Sequence, residues 1–470
     1  MTDTVVDSGA AFPRSETVIN PQLNLFQTPP TDLSVASYRM VDIQTYTTGI
    51  NPVEFQVDGQ EDYVDLSRTV FEVELTLKLA NGDNVVDATN LWPVNNLAHT
   101  LFKQISVRLN GTLISPQTDT YHYKAYLETL LNYDRNDGET VLKPQGWYNA
   151  IDFPATLTGN NTNTEDNAGA GHNDFQALTA NQQASVRLMK AEKTNYTDGN
   201  RYVLKFTPNI EVFHMSKWLV PRVQIGIQMY FNSPNLFLNG VGVAGRLTQE
   251  DVKVRMQLCQ VRVNPSIYRE LMTEMTVERS VVTYPTVRGE IRTFNMQGNQ
   301  QRFECNNLFQ GRIPNRLIVG LVSSAAFNGN VTNDPFCFQK FGLTSIRQLV
   351  RGEEYPYETL ELARNNATKD MRGYYRFLQA TGCLCKHQGN MVRSVDWGHR
   401  SNCTLFVFEN AANGCLDSPV LNPKQAGELQ VSLNFGANVG TNITIILYGE
   451  FENLLEIDKN KAVLYDIYQR

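Results

Sequence analysis

Residues 71–79 read Phe-Glu-Val-Glu-Leu-Thr-Leu-Lys-Leu, with an apolar side chain at every odd-numbered position and a polar one between. Successive side chains of a strand point to opposite faces, so this spacing predicts a β-strand with one buried and one wet face. A second run, with Ile105, Val107 and Leu109 on one face, ends at Asn110-Gly111, a dipeptide that favours a tight hairpin.

The segment 117–133 follows this hairpin and changes the period of the pattern. Its large apolar residues are three and four positions apart, which predicts an amphipathic helix. These residues are Tyr123, Tyr126, Leu127, Leu130 and Leu131. The sequence therefore predicts a sheet with a helix inserted in one of its loops.

Alternating apolar runs recur along the rest of the chain, separated by Gly, Pro and Asn. They lie at 223–231, 252–258, 317–321, 431–435 and 443–447. Short strands with this punctuation predict an all-β protein built from antiparallel sandwiches or barrels. The predicted core positions are Phe71, Val73, Leu75 and Leu77 in the first half, and Leu317, Val319 and Leu321 in the second.

The candidate boundary between two domains is Asn264-Pro265, where a strand pattern ends and a helical pattern, 267–275, begins. The segment 158–173 is nearly free of apolar residues and predicts an exposed loop. The last residues include several large apolar side chains, so we expect the tail to dock. The predicted division is an arm at 1–45, a first sandwich at 46–264 with an exposed loop at 158–200, a second sandwich at 265–457 with a helical insertion at 370–380, and a tail at 458–470.

Composition limits the classes of function. A chain of 470 residues has room for two to three domains, and its net charge of −7 argues against a dedicated nucleic-acid binder, which normally has a basic face. Seven scattered cysteines predict reduced thiols. No secretory signal or membrane span is evident, so we expect a cytosolic or nuclear protein.

Metal-like residues cluster once, at Cys383, Cys385 and His387, with His399 and Cys403 downstream. Thiolate and imidazole ligands suit zinc, but structural zinc sites usually separate paired cysteines by two to four residues. One intervening residue instead places both thiols on the same face of a strand. We therefore expect packed thiols and no metal site.

The sequence also contains residues that could be considered for catalysis. His122 is a possible base and Ser115 a possible nucleophile, but neither lies in a nucleophile-elbow motif. The glycine-rich segment 240–245 lacks the Lys-Ser/Thr ending of a phosphate loop and predicts a turn. The carboxylate pairs Glu72/Glu74 and Glu353/Glu354 have the pattern of solvated faces. We expect no enzyme activity, no catalytic residue and no cofactor.

Five blocks of sequence resemble one known family. They are Tyr-Val-Asp-Leu-Ser-Arg-Thr at 63–69, Leu-Asn-Gly-Thr-Leu-Ile-Ser at 109–115, Tyr-Leu-Glu-Thr-Leu-Leu-Asn-Tyr at 126–133, Asn-Leu-Phe-Gln-Gly-Arg-Ile-Pro-Asn-Arg-Leu at 307–317, and Ala-Phe-Asn-Gly at 326–329. In order and spacing they are similar to the major capsid protein of the Polinton (Maverick) and adintovirus group. The resemblance extends over about residues 62–362.

This resemblance implies a double jelly-roll fold and a structural role. Members of such a family form homotrimeric, pseudo-hexagonal capsomers that tile an icosahedral shell. The partners it implies are the chain itself, neighbouring capsomers, and penton (vertex) and minor capsid proteins, with no specific nucleic-acid binding and no membrane span. The expected location is the virion capsid, after synthesis in the host cytoplasm.

Two alternatives remain open from the residues. Jelly rolls also carry sugar sites, and Trp147, Tyr148 and Trp218 are candidates for stacking on sugar rings. The second alternative is a vertex or minor capsid protein with an appended domain. The even division of strand patterns about Asn264 disfavours it.

Overall fold

The computed structural model describes residues 20–465, apart from 24, 27, 29, 47–48, 50, 165–171, 278–279, 363–370, 387, 399–401 and 413–419. The strands of the first half are β1 Val35–Ile43, β2 Val53–Val57, β3 Tyr63–Leu75, β4 Lys78–Leu79, β5 Leu91–Pro93, β6 Phe102–Leu109, β7 Thr112–Leu113, β8 Tyr202–Phe206, β9 Ile225–Phe231, β10 Leu238–Gly240, β11 Gly245–Arg246 and β12 Val252–Val263. Those of the second half are β13 Val282–Met296, β14 Arg302–Cys305, β15 Arg316–Ser323, β16 Leu343–Val350, β17 Glu353–Glu354, β18 Leu360–Glu361, β19 Leu405–Glu409, β20 Leu429–Phe435, β21 Ile443–Ile457 and β22 Val463–Tyr465.

The helices are short and lie mostly between strands. They are α1 Leu97–Thr100, α2 Tyr121–Asn132, α3 Arg135–Glu139, α4 His172–Gln176, α5 Ala180–Lys193, α6 Pro234–Phe237, α7 Pro265–Thr276, α8 Ser324–Phe327, α9 Met371–Ala380 and α10 Cys383–Lys386. Helices α2, α7 and α9 confirm the three helical segments predicted from spacing. Within the described ranges, no helix is both long enough and apolar enough to cross a membrane.

The first half forms a sandwich of two antiparallel sheets. One sheet has the strand order β1-β12-β3-β8 and the other has β2-β9-β6-β7. The odd-numbered residues of the 71–77 run are fully buried between the sheets, which confirms the predicted first core. Each such side chain contributes roughly 1.5–3 kcal/mol by leaving water.

The hairpin predicted at Asn110-Gly111 is present between β6 and β7. Both residues have positive φ, 46° and 83°, as a two-residue turn of the type I′ class requires. Leu109 pairs with Thr112 directly across it. A side chain with a branched Cβ at Gly111 would be strained, so the dipeptide itself sets this turn.

The second half repeats the architecture. Its sheets have the orders β13-β21-β15-β19 and β14-β20-β16-β17, with β22 added to β21 and β18 added to β16. Numbering the eight principal strands of either half from one to eight gives the same two sheets, 1-8-3-6 and 2-7-4-5. This interleaved order defines a jelly roll. Leu317, Val319 and Leu321 are fully buried, as predicted.

The predicted exposed loop at 158–200 is wrong over its second part. Residues 172–199 form α4, α5 and a 3-10 helix, Thr194–Gly199. Phe175, Val186 and Met189 pack with Trp92 in a small third core. The helix α5 begins at a capping box in which Thr179 and Gln182 each bond the other's backbone N–H.

The predicted ends of the chain also need correction. The arm was expected to extend to residue 45, but β1 belongs to the first sandwich as an edge strand paired with β12. In the tail expected at 458–470, β22 pairs with β21, with Leu455 opposite Tyr465. Residues 466–470 and 1–19 lie outside the described residues.

Candidate functional site

The cysteine cluster does not form the arrangement expected of it. Cys383 and Cys385 lie on α10, where a two-residue step turns side chains roughly 200° apart, so the predicted shared face of a strand is wrong. The Cys383 sulfur accepts hydrogen bonds from Thr381 at 3.3 Å and Asn390 at 3.4 Å. Cys403 is buried in the second core.

His387 and His399 lie outside the described residues. Among the residues that are described, His, Cys, Asp and Glu side chains form no group of three or more that could hold a metal ion. The six described cysteines are free thiols, as their scatter predicted.

His122 and Ser115 have structural surroundings. Burial lowers the pKa of His122 to about 3, so the ring is neutral at physiological pH. Its Nδ1 lies 3.4 Å from the Asn232 amide, and its ring packs 4.6 Å from that of Tyr123. The Ser115 hydroxyl accepts a hydrogen bond from the Val107 N–H at 2.8 Å, which ties the short return of the hairpin to β6.

The glycine-rich segment lies where its pattern predicted, and Glu353 and Glu354 are exposed as expected, but Glu72 and Glu74 are only 14% and 17% exposed. Gly240 ends β10 and Gly245 begins β11, so the segment is a turn between strands. Glu72 and Glu74 lie on the outer face of β3, where Arg255 reaches both, at 3.7 and 3.3 Å. These carboxylates belong to a ladder of surface ion pairs.

The aromatic set considered for sugar stacking is wrong for two of its three members. Trp147 and Tyr148 are 0% and 1% exposed and offer no face to a ligand. The indole N–H of Trp147 donates to Asn149 at 3.1 Å, and the Tyr148 hydroxyl donates to the Pro93 carbonyl at 3.0 Å. Both are structural rings.

Helix α2 joins the two sandwiches. Although it is inserted between β7 and β8 of the first, its Tyr126 stacks on Phe336 of the second, with ring centroids 3.8 Å apart and planes 2° apart. Tyr123 stacks on Phe327 at 5.5 Å. On its other side, Tyr121 belongs to the first core. The helix is buried around most of its circumference because it serves two cores.

A buried ionic network lies on this helix. The Lys124 ammonium is 2.9 Å from Glu211 and 3.8 Å from Glu128, and the Tyr448 hydroxyl donates to Glu128 at 2.6 Å. The Gly289 N–H also donates to Glu211, at 3.1 Å. Burial alone would lower the pKa of Lys124, but the two glutamates outweigh it and the pKa is raised. The ammonium is therefore charged and pairs with two glutamates of the first half, and these glutamates bond to Tyr448 and Gly289 of the second half.

Gly289 is required by this packing. A Cβ built there would lie 2.5 Å from the Tyr448 hydroxyl oxygen and 2.8 Å from Cε of Lys124. Beside the network is a cavity of about 440 Å³ that also borders Arg316 and Glu450, themselves an ion pair at 3.2 Å. Each ion pair therefore lies within one half, and hydrogen bonds from Tyr448 to Glu128 and from the Gly289 N–H to Glu211 connect the halves.

The long strands β13 and β21 form a second connection. Fifteen residues of each pair along their full length, and their outer ends, at Tyr284 and Leu455, enter the core of the first sandwich. The turn after β21 is held there as well, because the Asn110 amide donates to the Lys461 carbonyl at 2.7 Å. Two separate parts of the chain therefore fix the sandwiches to each other.

Many of the exposed large apolar side chains fall into two groups. The first group comprises the arm and β1, with Leu23, Leu25, Phe26, Leu33, Tyr38, Met40 and Tyr46. The second surrounds α7, with Trp218, Leu271, Val277 and Val281. Exposed apolar side chains that are grouped in this way are typical of sites of protein contact. These two groups are the candidate functional surfaces.

Comparisons with known proteins show which folds are similar to this one. No family model matches the chain. The uncharacterized protein F54H12.2 of Caenorhabditis elegans is 22% identical over 445 residues, which cover 91% of this chain and 96% of that protein. In the Sputnik virophage structure, a chain 11% identical superposes with a TM-score of 0.59, covering 98% of this chain and 94% of that one.

PBCV-1 VP54 is similar in the same way. It is 10% identical, with a TM-score of 0.52, and the match covers 94% of this chain and 99% of VP54. At these identities the likeness shows the fold. The chain is an all-β protein with two tandem antiparallel jelly rolls and short helical insertions in its loops.

The residues that join the sandwiches were missed from the sequence. Glu211 is 87 positions from Lys124, and Tyr448 is 320 positions from Glu128. No local pattern reports such pairings. A usable signal was present in α2 itself, because Lys124 and Glu128 stand four apart in a helix that is otherwise largely apolar and aromatic.

Proposed function

We propose that the chain is a major capsid protein of the Polinton (Maverick) and adintovirus group, located in the virion. In this proposal it forms homotrimers, and these pseudo-hexagonal capsomers tile an icosahedral shell. The observation that carries the proposal is the repeated strand order, which gives two blocks of one architecture in each chain. A chain of the PBCV-1 virus capsid, matched with a TM-score of 0.52, supports it.

The geometry of the tile follows from the two blocks. Three chains around a threefold axis present six similar blocks, which approximate a hexagon under true threefold symmetry. Such a tile needs blocks that do not move relative to each other. Helix α2, with Tyr126 on Phe336, and the paired strands β13 and β21 meet that need.

The proposal also includes a domain boundary and a set of partners. The two jelly rolls divide at Asn264-Pro265, between β12 and α7. Each trimer contacts neighbouring trimers, and penton and minor capsid proteins supply the vertices and the seams. Other proteins neutralise the genome, since the net charge of this chain is −7. Synthesis is in the host cytoplasm, and no catalytic role is assigned.

Mass in solution tests this proposal directly. Light scattering coupled to gel filtration should give a species of three times the chain mass of 53.1 kDa. Electron microscopy of that species should show a hexagonal outline. A monomer at every concentration, including after co-expression with penton protein, would overturn the capsomer.

A further inference from the structure

The N-terminal arm leaves the body of the protein beside helix α7. The Ser34 carbonyl accepts a hydrogen bond from the Asn264 N–H at 2.9 Å, and the Asn264 amide donates to the Leu33 carbonyl at 3.4 Å. Asn264 is also the N-cap of α7, where its side chain accepts from the Ser266 N–H. One residue therefore fixes both the end of the arm and the start of the helix.

An apolar groove extends along the same helix. It has a volume of about 530 Å³ and lies between Leu271 and Met275 of α7 on one side and Trp218, Val281 and Tyr284 on the other. Leu271, Trp218 and Val281 are 41%, 37% and 43% exposed, so the groove is open to solvent. Lys217 and Glu274 also border it, with opposite charges. The volume is within the range of pockets that bind small ligands or side-chain clusters.

The arm carries the side chains that such a groove fits. Leu23, Leu25 and Phe26 are 68%, 77% and 99% exposed, so their own chain does not cover them. Residues 20–31 contain no charged side chain, which matches an apolar groove whose border is balanced in charge. Three large apolar groups in water are unfavourable unless a partner buries them.

We propose that Leu23, Leu25 and Phe26 dock in the α7 groove of a second copy of this chain. The seven residues from Phe26 to Leu33 span up to about 23 Å when extended. The groove of the same chain begins only about 10 Å along α7 from Asn264. The arm is therefore long enough to reach its own groove, yet its three apolar side chains are exposed and that groove is open, which supports the groove of a second copy as the site.

Each chain supplies one arm and one groove, so three head-to-tail contacts around a threefold axis would fill every groove. The inference rests on the proposed trimer only for the number of chains that exchange arms. Arm exchange would join the three subunits near the junction of their two jelly rolls, where α7 lies.

Peptide binding tests the groove. The full-length protein with Leu23, Leu25 and Phe26 all changed to Ser leaves its grooves free, and a labelled peptide of residues 20–33 should bind it saturably. Changing Phe26 to Ser in the peptide, or Leu271 to Ser in the protein, should weaken binding about tenfold or more. Val203→Ser is the matched control, since Val203 is equally exposed on β8, away from the groove. Absence of binding, or equal binding by a peptide of residues 458–470, would overturn the proposal.

Cross-linking tests the second copy. A full-length chain with Phe26→Cys and Leu271→Cys should form disulfide-linked species of two and three chains on a non-reducing gel. Each single variant is the control for the native cysteines. A link confined to one chain would overturn exchange between copies.

Failure of this inference is distinguishable from failure of the capsomer. Trimers of unchanged dissociation constant in the triple Ser variant, without peptide binding, would refute the docking and leave the capsid role standing. Peptide binding and cross-linked dimers by a protein that never forms trimers would retain the docking and refute the capsomer. With both correct, the triple variant should weaken each arm–groove contact by roughly a thousandfold, about tenfold for each side chain, and raise the trimer dissociation constant by at least that factor.

Discussion

Replacing Lys124 by Met tests the buried ion pair that lies at the junction of the two jelly rolls. The change keeps the length of the side chain and removes the charge 2.9 Å from Glu211, whose side chain is fully buried. Glu211 then has the Gly289 N–H as its remaining donor among the contacts described above. Removing one partner of a buried ion pair costs roughly 3–5 kcal/mol, because the other charge stays in a low dielectric. The variant Lys124→Met should lose that much free energy of unfolding.

The change Glu211→Gln supplies the second side of a double-mutant cycle. Its side-chain carbonyl still accepts from Gly289, so only the charge is lost. The double variant should be more stable than the sum of the single losses predicts, with a coupling of at least about 2 kcal/mol. Urea denaturation at pH 7 measures all four proteins. The exposed pair Arg222 and Glu61, changed in the same way, should give a coupling of about 0–1 kcal/mol.

Additive losses for Lys124 and Glu211, within about 0.5 kcal/mol, would refute the ion pair that holds Glu211 in place for its hydrogen bond with Gly289 of the second half. The pH of the assay follows from the sign of the shift. Because the pKa of Lys124 is raised in the folded protein, its contribution is complete below the ordinary lysine pKa and is lost only as the pH rises through the raised value. Neutral pH therefore measures the full effect.

Three further changes test the fold. Leu75→Asp buries an unpaired charge in the first core at a cost of several kcal/mol and should give insoluble protein or no trimer, whereas Val203→Asp on an exposed position of the same sheet should assemble; a soluble, normally assembling Leu75→Asp would contradict the strand. Gly289→Ala should cost about 1–3 kcal/mol in thermal or urea denaturation because its Cβ meets Tyr448, while Gly226→Ala, with 3.9 Å to its nearest neighbour, should cost under 1 kcal/mol. Burial raises the pKa of Asp334 to about 6, so the folded protein loses stability as the pH rises from about 4 to 6. The change Asp334→Asn should add up to about 3 kcal/mol to the free energy of unfolding at pH 8 and make it less dependent on pH. An unchanged pH profile would contradict the burial argument.

Strands with one buried face were predictable because alternation is a local signal. The residues from Phe71 to Leu77 have it and are buried as expected, and the Asn110-Gly111 turn follows from its own φ angles. The strand β1 was missed because its sequence lacks this alternation. Most of its side chains are exposed on both faces, so no buried period of two exists to be detected.

The helices of residues 172–199 were missed because their apolar content is low. Helix α5 buries Val186 and Met189, yet most of its other positions are polar, and its partners Trp92 and Phe153 lie far away in the sequence. The joining residues of the two jelly rolls were beyond prediction on similar grounds. Which side chains meet Lys124 depends on the packing of whole domains and not on spacing.

The repeat is broken where the two jelly rolls need different contacts. Both carry a helix between their fifth and sixth principal strands, α2 in the first and α9 in the second. Helix α2 packs into both cores, whereas the buried residues of α9, Phe377 and Ala380, lie in the second core alone. In the proposed capsomer, the hexagonal outline would need six similar blocks, whereas threefold symmetry would permit two kinds of block. If both helices packed as α2 does, each would need a second jelly roll of the same chain to pack against. The two jelly rolls share a single junction, which α2 already occupies. The difference between α2 and α9 resolves this conflict, since one helix joins the pair and the other leaves its outer face, with Tyr375 58% exposed, free for contacts with other chains.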